Sequence, residues 1–388
     1  MLPFERAVEL QDEVTGWRRH FHANPELLYE VHETAAKVAE LLKQFGVDEI
    51  VTGIGRTGVV GVIYGNKSDS GKTIGLRADM DALPIKEATG KAYASKVDGK
   101  MHACGHDGHT AMLLGAAKYL CETRNFNGKV AVIFQPAEEG GAGGKAMIDD
   151  GLMDRFDIAE VYGMHNAPTI PVGNFATREG AMLASVDLLE ITVTGVGGHA
   201  AMPHNCADPI LAASAIVQAV QSFASRNVDP MEAVVVSVTK FQSGDAFNVI
   251  PNEARLGGTV RCLDEKLRDL AEKRLGEIVS HVAQAHGCTA EFKYDRQYPT
   301  TVNHTEQVRF VGQIAKSLAG DVNVDMNTPQ VLGGEDFSFM LQARPGAFIY
   351  LGNGDTAGLH HPEYDFNDDA IPHGISFFAE LVHKALPA

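Results

Sequence analysis

Three apolar segments follow one another between residues 73 and 134: Thr73–Ala78 (TIGLRA), Thr110–Glu122 (TAMLLGAAKYLCE) and Lys129–Phe134 (KVAVIF). The first and third are short, which is typical of buried strands, whereas the second has the length of a helix. This order continues with a strand pattern at Glu160–Met164. Alternating strands and helices predict an α/β sandwich.

A second pattern begins at Ser185. Strands and helices there alternate in the order β-α-β-β-α-β, which is the ferredoxin-like pattern, and a strand at Phe348–Leu351 resumes the first one. We therefore predict an α/β fold with two domains. Residues 1–184 and 297–388 would form an α/β/α domain with a mixed sheet, and residues 185–296 would form an inserted ferredoxin-like α+β satellite domain.

The composition limits the possible partners. The chain of 388 residues has a formal net charge of -17 and no run of Lys or Arg, which argues against binding to nucleic acid. No segment approaches the ~20 consecutive apolar residues of a membrane-spanning helix. The first residues lack the basic and apolar regions of a signal peptide, and the five cysteines are odd in number and widely spaced. We expect a cytoplasmic protein with no membrane anchor.

One glycine motif resembles a nucleotide site but lies in the wrong context. Gly53–Gly58 matches G-x-G-x-x-G, yet it precedes a predicted strand, whereas a dinucleotide motif follows a strand and begins a helix. We interpret the motif as a turn, and a nicotinamide dehydrogenase is not expected.

Potential metal ligands lie where predicted strands end. They are Asp79, Asp81, Cys104, His106, Glu138, Glu139 and His165, with His360 and His361 after the final strand. Because the carboxyl ends of parallel strands converge on one crevice, we expect these side chains to form one site. A mixture of thiol, imidazole and carboxylate suits Zn²⁺ and its neighbours better than Mg²⁺ or Ca²⁺. Of the adjacent pair Glu138 and Glu139, one could bind metal while the other acts as a general base, and the pattern alone does not rank them.

Several segments occur together, in this order, in a known group of enzymes. They are RRHFHANPEL (18–27), LRADMDALPI (76–85), MHACGHDGHTAMLLGAA (101–117), IFQPAEEGGAGG (133–144), GMHN (163–166), GGHAAMPH (197–204), FNVIPN (247–252), GGEDFS (333–338) and LHHPEYDFND (359–368). The chain resembles the N-acyl-amino-acid amidohydrolases of the hippurate hydrolase and aminoacylase type, a subfamily of the two-metal carboxypeptidase-like metallopeptidase relatives.

The resemblance implies a metal-dependent amidohydrolase that cleaves the amide bond of N-acyl-L-amino acids, such as hippurate or N-acetyl amino acids. It implies two divalent metal ions, Zn or Mn, with Co or Ni as alternatives, and Glu138 as the catalytic base. The implied metal ligands are Cys104, His106, Glu139, His165 and His360.

The resemblance also implies roles for residues of the inserted domain and for the GGEDFS loop. His199 stabilises the oxyanion, either within its own chain or from a partner subunit. Asn248, Arg261 and the loop at Gly334 bind the substrate carboxylate, and Arg is the residue best shaped to grip a carboxylate through paired hydrogen bonds. A homodimer through the inserted domain is expected.

Some alternatives stay open. Asp79 takes the place of a histidine in the peptidase cousins and is either a ligand or an orienting residue, and His361 competes with His360 as the last ligand. A dipeptidase or aminopeptidase, an N-acetyl-diaminopimelate deacetylase and a non-catalytic metal-binding or ligand-binding protein are the rival functions. The preferred acyl group depends on a pocket that the sequence does not define.

Overall fold

The computed structural model describes residues 3–388, which contain ten α-helices and sixteen strands. The helices are α1 (Pro3–Ala23), α2 (His32–Phe45), α3 (His106–Thr123), α4 (Gly143–Asp149), α5 (Leu152–Arg155), α6 (Pro209–Ser222), α7 (Glu265–Ala285), α8 (Thr305–Ala319), α9 (Phe337–Ala343) and α10 (Ile371–Ala385). The strands are β1 (Glu49–Ile54), β2 (Gly58–Tyr64), β3 (Thr73–Asp79), β4 (Lys129–Gln135), β5 (Ile158–Pro168), β6 (Phe175–Ala176), β7 (Gly180–Leu183), β8 (Val186–Thr194), β9 (Gly198–His199), β10 (Val234–Gln242), β11 (Val249–Ile250), β12 (Glu253–Cys262), β13 (Thr289–Tyr298), β14 (Thr301–Asn303), β15 (Val324–Asp325) and β16 (Gly346–Gly354). None of these helices is long and apolar enough to cross a membrane.

The chain divides into two compact units. The first contains the chain up to Gly180 together with Val302–Pro329 and Asp336–Ala388, and the second contains Ala181–Thr301 and Gln330–Glu335. The main part of the second unit extends slightly beyond the predicted insertion of residues 185–296. The short segment Gln330–Glu335 is not evident from the sequence pattern, because it contains neither a helix nor an extended strand.

The first unit is built on an eight-stranded mixed sheet with the order β1-β2-β4-β3-β5-β16-β6-β15. Strands β4, β3, β5 and β16 run parallel, whereas β2 is antiparallel to both of its neighbours. Strands β3 and β4 are almost wholly buried, as expected for parallel strands covered on both faces. Helices α1, α3 and α10 pack against one another, and α4 packs against α9. The predicted α/β fold with a mixed sheet is confirmed.

The second unit contains a four-stranded antiparallel sheet with the order β10-β12-β8-β13. Helices α6 and α7 pack against each other and against this sheet. Both helices begin after a capping aspartate, because Asp208 and Asp264 each accept hydrogen bonds from main-chain N–H groups of the first turn. The chain order β-α-β-β-α-β and this strand order together form the predicted ferredoxin-like satellite.

The glycine motif at Gly53–Gly58 spans the end of β1, the turn and the start of the antiparallel strand β2. Gly53, Gly55 and Arg56 all have positive φ angles of 84°, 59° and 77°, which a tight turn requires and which glycine adopts without strain. The segment begins no helix, so it has none of the geometry of a dinucleotide site.

The parallel strands bring their carboxyl ends to one edge of the sheet. In the register of the sheet, Asp79 of β3 is paired with Gln135 of β4, and His165 of β5 is paired with Tyr350 of β16. Glu138 follows β4 after a short turn. The fold therefore assembles several of the predicted ligand residues at this edge.

Candidate metal centre

Cys104 and His106 lie at the beginning of α3. His106 is the first residue of this helix, and Gly105 before it has a φ of 87°. The Nδ1–H group of His106 donates to the carbonyl oxygen of Asp81 at 2.8 Å. Its Nε2 atom is buried and has no hydrogen-bond partner among residues 3–388. A histidine with Nδ1 held by a carbonyl and Nε2 free of hydrogen bonds is arranged as a metal ligand.

His165 presents its ring in the same way. Its Nδ1–H group donates to the carbonyl oxygen of Asn166 at 2.7 Å, and its Nε2 atom lies 3.4 Å from the sulfur of Cys104. Both groups are buried. The loop before α3 and strand β5 therefore lie in contact through Cys104 and His165.

Glu139 and His360 complete this group of side chains. His360 Nε2 lies 3.3 Å from Glu139 Oε1, a buried oxygen that accepts no hydrogen bond within the described residues. The main-chain N–H of His360 donates to the carbonyl oxygen of Ala103 at 2.8 Å, which ties its loop to the Cys104 segment. His361 is exposed, and its Nδ1 accepts a hydrogen bond from the N–H of Glu363 at 3.1 Å. Of the two histidines, the structure brings His360 to the group.

Among the sets of potential ligand atoms that all lie within 4.8 Å of one another, three overlap and contain only predicted ligands and Glu138. The sets are Cys104–His106–His165, Cys104–Glu139–His360 and His106–Glu138–Glu139. The first two share Cys104, so its sulfur can face two neighbouring cations. Thiol, imidazole and carboxylate donors, with buried and unpaired ligand atoms among them, fit two divalent ions of the zinc type.

Asp79, His106 and His109 form a further set of potential ligand atoms, but both carboxylate oxygens of Asp79 are hydrogen-bonded. Oδ2 of Asp79 accepts from Arg77 at 2.7 Å, and its Oδ1 accepts from Nδ1–H of His109 at 2.6 Å. Burial alone would raise the pKa of Asp79, but His106, Arg77 and His109 outweigh burial and hold the pKa well below its usual value. Asp79 Oδ2 also lies 3.7 Å from Nε2 of His106, a predicted ligand. The carboxylate is therefore next to this ligand while both of its oxygens accept hydrogen bonds from other residues.

His109 and Arg77 were not singled out by the sequence pattern. His109 lies three residues after His106 on α3, a spacing that places both rings on one face of the helix, and this spacing was the available signal. Arg77 is fully buried and also donates to Asp336 at 3.0 Å. Nothing in a single sequence indicates that an arginine inside an apolar strand pairs with carboxylates.

Asp81 holds the pair of adjacent glutamates. Its two carboxylate oxygens accept the main-chain N–H groups of Glu138 at 2.9 Å and of Glu139 at 3.1 Å. The turn before them includes Ala137, whose φ of 55° is rare for a residue with a side chain. Asp81 therefore supports both glutamates through their main chain.

Nearby carboxylates raise the pKa values of two groups in the site. Burial, followed by Glu139, Glu138 and Asp79, raises the pKa of the Cys104 thiol well above its usual value. Burial lowers the pKa of His106, but Asp79, Asp81 and Glu139 outweigh this effect and raise it to about 10. Clustered carboxylates that stabilise the protonated forms of neighbouring groups also stabilise a bound divalent cation.

The segment RRHFHANPEL contributes a second buried polar network. His22 Nδ1 lies 2.8 Å from Asp107 Oδ2, and His22 Nε2 lies 3.3 Å from Glu87 Oε1. Burial lowers the pKa of His22, but its hydrogen bonds to Asp107 and Glu87 outweigh this effect and raise the pKa to about 9. Asp107 directly follows His106, so this network supports the start of α3.

This histidine should make stability depend on pH. The folded state binds the proton of His22 more tightly than the unfolded chain, whose histidine pKa is ~6.5. The stabilisation is therefore complete below pH ~6.5 and is lost as the pH rises through about 9. We expect His22→Gln to lower the free energy of unfolding by up to about 3 kcal/mol at pH ~6, and by less at pH ~10.

Denaturant unfolding of both proteins at equal metal content, across this pH range, measures the difference. His20→Gln is the matched control, because His20 lies on the same helix with an exposed side chain. A difference for His22→Gln that grows with rising pH would contradict the assignment.

In the second unit, His199 and Asn248 are neighbours. His199 of β9 is paired with Val249 of β11, and the N–H of Ala200 donates to the carbonyl oxygen of Asn248 at 3.1 Å. His199 and Asn248 are both exposed. This two-stranded ribbon extends from the start of β12, where Glu253 faces Thr194.

Arg261 and Gly334 lie at the other end of β12. Val260, next to Arg261, is paired with Asp187, and a Cβ atom on Gly334 would lie 2.1 Å from the side chain of Val186. At ~3.3 Å per residue, β12 separates the Asn248 end from Arg261 by roughly 26 Å. Within one chain the structure therefore does not bring Asn248 beside Arg261.

Comparison with known proteins identifies the family. The pattern of Peptidase family M20/M25/M40 matches residues 75–384. The chain is 45% identical to hippurate hydrolase of Campylobacter jejuni subsp. jejuni over 379 residues, 98% of each protein, and 38% identical to N-acetylcysteine deacetylase of Bacillus subtilis over 365 residues, 94% of each. A crystal structure of a Bacillus subtilis dinuclear metal-binding peptidase of the M20 family superposes with a TM-score of 0.85 at 34% identity, covering 97% of this chain and 99% of that one.

The resemblance to hippurate hydrolases and aminoacylases is thus confirmed, and so is the prediction of a metal-dependent hydrolase. The similarity extends through both units, since the matched residues include nearly the whole chain. The chain belongs to Peptidase family M20/M25/M40.

Proposed function

We propose that this protein hydrolyses N-acyl amino acids to a carboxylic acid and a free amino acid. The observation that carries the proposal is the pair of ligand sets that share Cys104, with Glu138 beside them. A hippurate hydrolase and an N-acetylcysteine deacetylase among its relatives support this chemistry, because both enzymes act on amides of amino acids.

Two divalent cations would be held by five residues in this proposal. The residues are Cys104, His106, Glu139, His165 and His360. When bound, such ions polarise a substrate carbonyl and lower the pKa of a water molecule. The donor set favours Zn²⁺ or Mn²⁺, with Co²⁺ and Ni²⁺ as alternatives, because it combines a thiol with imidazoles and carboxylates.

The protein's own groups would then move the proton and stabilise charge. The carboxylate of Glu138 accepts a proton from the attacking water and delivers it to the nitrogen of the leaving amino acid. The imidazole of His199 stabilises the negative charge that develops on the carbonyl oxygen. The main-chain bond from Glu138 to Asp81 keeps the base in position during both transfers.

Arg261 would bind the carboxylate of the amino-acid part. Its guanidinium is half-buried, and it forms no ion pair with any residue from 3 to 388, although the chain carries a net charge of -17. Its Nη1–H group donates only to the neighbouring carbonyl oxygen of Val260, at 3.1 Å. An unpaired, partly desolvated guanidinium is well suited to grip a carboxylate through two hydrogen bonds.

Replacing this arginine should affect charged substrates selectively. We expect Arg261→Ala to raise KM for an N-acyl amino acid by about 10- to 100-fold, because a charge-assisted pair of hydrogen bonds is lost. The corresponding uncharged amide, with its carboxylate converted to a carboxamide, should show little change. Arg261→Lys is the control, since it keeps the charge but loses the paired geometry and should show a smaller loss for the acid. Equal losses on acid and amide would count against a carboxylate site.

The protein would act as a homodimer formed through its second unit. Strand β10 is an edge strand, and many of the exposed large apolar side chains belong to this unit. They include Ile210, Leu211, Phe241, Phe247 and Val249. Because His199 and Asn248 lie at the opposite end of β12 from Arg261, a complete substrate site would combine the first pair from one subunit with Arg261 from the other. The molecular mass in dilute solution tests the dimer.

We place the protein in the cytoplasm. All five cysteines, which lie within the described residues, are free thiols in the structure. A reducing compartment keeps such thiols available, and Cys104 can bind metal only as a free thiol.

The experiment that tests the function is hydrolysis of a small substrate panel. Hippurate, N-acetyl amino acids and a free dipeptide are offered to metal-stripped protein, to which Mn²⁺, Co²⁺ or Zn²⁺ is added back. Cleavage of the acylated members only after metal addition is the expected result and ranks the acyl groups. Preferential cleavage of the free dipeptide would instead indicate a peptidase. The absence of all cleavage with two metals bound would favour a binding role.

A further inference from the structure

Asn166 makes hydrogen bonds to several separate parts of the first unit. It follows His165 in β5, and its side chain is fully buried. Its Nδ2 donates to the carbonyl oxygen of Cys104 at 2.6 Å, and its Oδ1 accepts from the hydroxyl of Tyr364 at 2.8 Å. One side chain therefore joins β5 to two loops that are distant in sequence.

Each of these three segments carries a proposed metal ligand. The first loop contains Cys104 itself, and Tyr364 belongs to the loop that carries His360. The third ligand, His165, is bonded to Asn166 directly, because its Nδ1–H group donates to the Asn166 carbonyl oxygen at 2.7 Å. Asn166 therefore contacts, through its side chain or its main chain, all three segments that carry these proposed ligands.

Asn166 also fixes a histidine that could otherwise compete for metal. The main-chain N–H of Asn166 donates to His109 Nε2 at 2.9 Å, and Nδ2 lies 3.0 Å from the same atom. The other ring nitrogen of His109 donates to Asp79. Both nitrogens of His109 are therefore engaged in hydrogen bonds, and the ring supports Asp79.

The packing around Asn166 is close. A Cβ atom on Gly105 would lie 2.3 Å from Asn166 Nδ2 and 2.5 Å from the hydroxyl of Tyr364. Such distances are far below van der Waals contact, so position 105 must remain a glycine. Asn166 and Tyr364 consequently pack directly against the main chain between Cys104 and His106.

We propose that Asn166 is a positioning residue that sets the spacing of Cys104, His165 and His360 and thereby the geometry of both cation positions. This inference rests on the proposed function, because it takes these three residues to be metal ligands. Ligands contributed by separate segments keep their spacing only through the bonds between those segments. Asn166 supplies such bonds from one buried point.

The test measures metal binding directly and needs no substrate. Wild type, Asn166→Ala, Asn166→Asp and Tyr364→Phe are stripped of metal and titrated with Co²⁺, and the thiolate-to-cobalt absorption of Cys104 is recorded with the affinity. Asn303→Ala is the matched control. Asn303 is also buried and bonded, to Phe348 at 2.7 Å and to Arg178 at 3.1 Å, so its loss should lower thermal stability without disturbing the ligand segments.

We expect Asn166→Ala to weaken Co²⁺ binding by about 10- to 100-fold and to change the thiolate absorption, as replacement of a residue that orients ligands does elsewhere. Asn166→Asp should be at least as severe, since it places a carboxylate oxygen against the Cys104 carbonyl. Tyr364→Phe, which removes one bond only, should show a smaller loss and keeps the test valid if the Asn166 variants fail to fold. Asn303→Ala should bind like wild type.

Two different results would overturn the inference. If Asn166→Ala and Tyr364→Phe bind Co²⁺ with wild-type affinity and absorption, Asn166 has no positioning role, and the proposed function is unaffected. If the wild-type protein itself binds no Co²⁺ through Cys104, the proposed metal centre fails and the inference falls with it.

Discussion

Replacing Glu138 by Gln is expected to lower kcat by ~10²–10⁴-fold while both metal ions stay bound. Glutamine has the shape of glutamate but cannot accept the proton of the attacking water. The main-chain N–H of residue 138 would still donate to Asp81, so the local structure should persist. Elemental analysis of the purified variant, together with initial rates on the best substrate of the panel, checks both statements.

Glu139→Gln is the matched control for this prediction. Glu139 Oε1 faces His360 and belongs to a set with Cys104, so its loss should reduce the metal content first and activity as a consequence. The two variants carry the same substitution at adjacent positions, yet the first should lose turnover and the second should lose metal. Near-normal turnover of Glu138→Gln with both metals present would refute the assignment of the base.

Replacing His199 by Ala should lower kcat by ~10²–10³-fold and leave the metal content unchanged, because one donor to a developing oxyanion is worth about 3–4 kcal/mol. His204→Ala is the control, since His204 is exposed in the same loop and has no proposed role. Loss of metal from His199→Ala would argue for a different role. Metal content and kcat are measured on the same preparation.

Mixing two inactive variants tests whether His199 acts from a partner subunit. In a mixed dimer of Glu138→Gln with His199→Ala, one site would combine an intact Glu138 with an intact His199 from the other chain. After subunit exchange at equal amounts, activity should recover to about a quarter of the wild-type value, because half of the dimers are mixed and each has one intact site. No recovery in a sample shown to contain mixed dimers would place His199 in its own chain's site.

The sequence predicts much of the fold because its signals are local. The alternation of short apolar segments with longer amphipathic ones indicates the strands and helices of both units. Asp208 and Asp264 cap the helices that follow them, and helix capping depends only on residues within one turn. The convergence of Asp79, His165 and their neighbours follows from the parallel direction of their strands.

Other features depend on contacts between distant residues. Nothing near Asp81 in sequence shows that its carboxylate holds the main chain of Glu138 and Glu139. The separation of Asn248 and Arg261 along β12 could be predicted, because Asn248 precedes this strand and Arg261 lies near its end. The resemblance alone groups them as a pair without showing this separation.

The backbone conformation of His360 affects which residues evolution can place at this position. Its φ of 63° lies in the left-handed region, which costs a residue with a side chain roughly 1 kcal/mol and costs glycine almost nothing. Selection for folding alone would therefore favour Gly or Asn at this position, whereas selection for turnover would retain the histidine if His360 binds metal as proposed. In evolutionary terms the position is a marker of selection, and natural variants that carry Gly or Asn there are the ones expected to have abandoned catalysis.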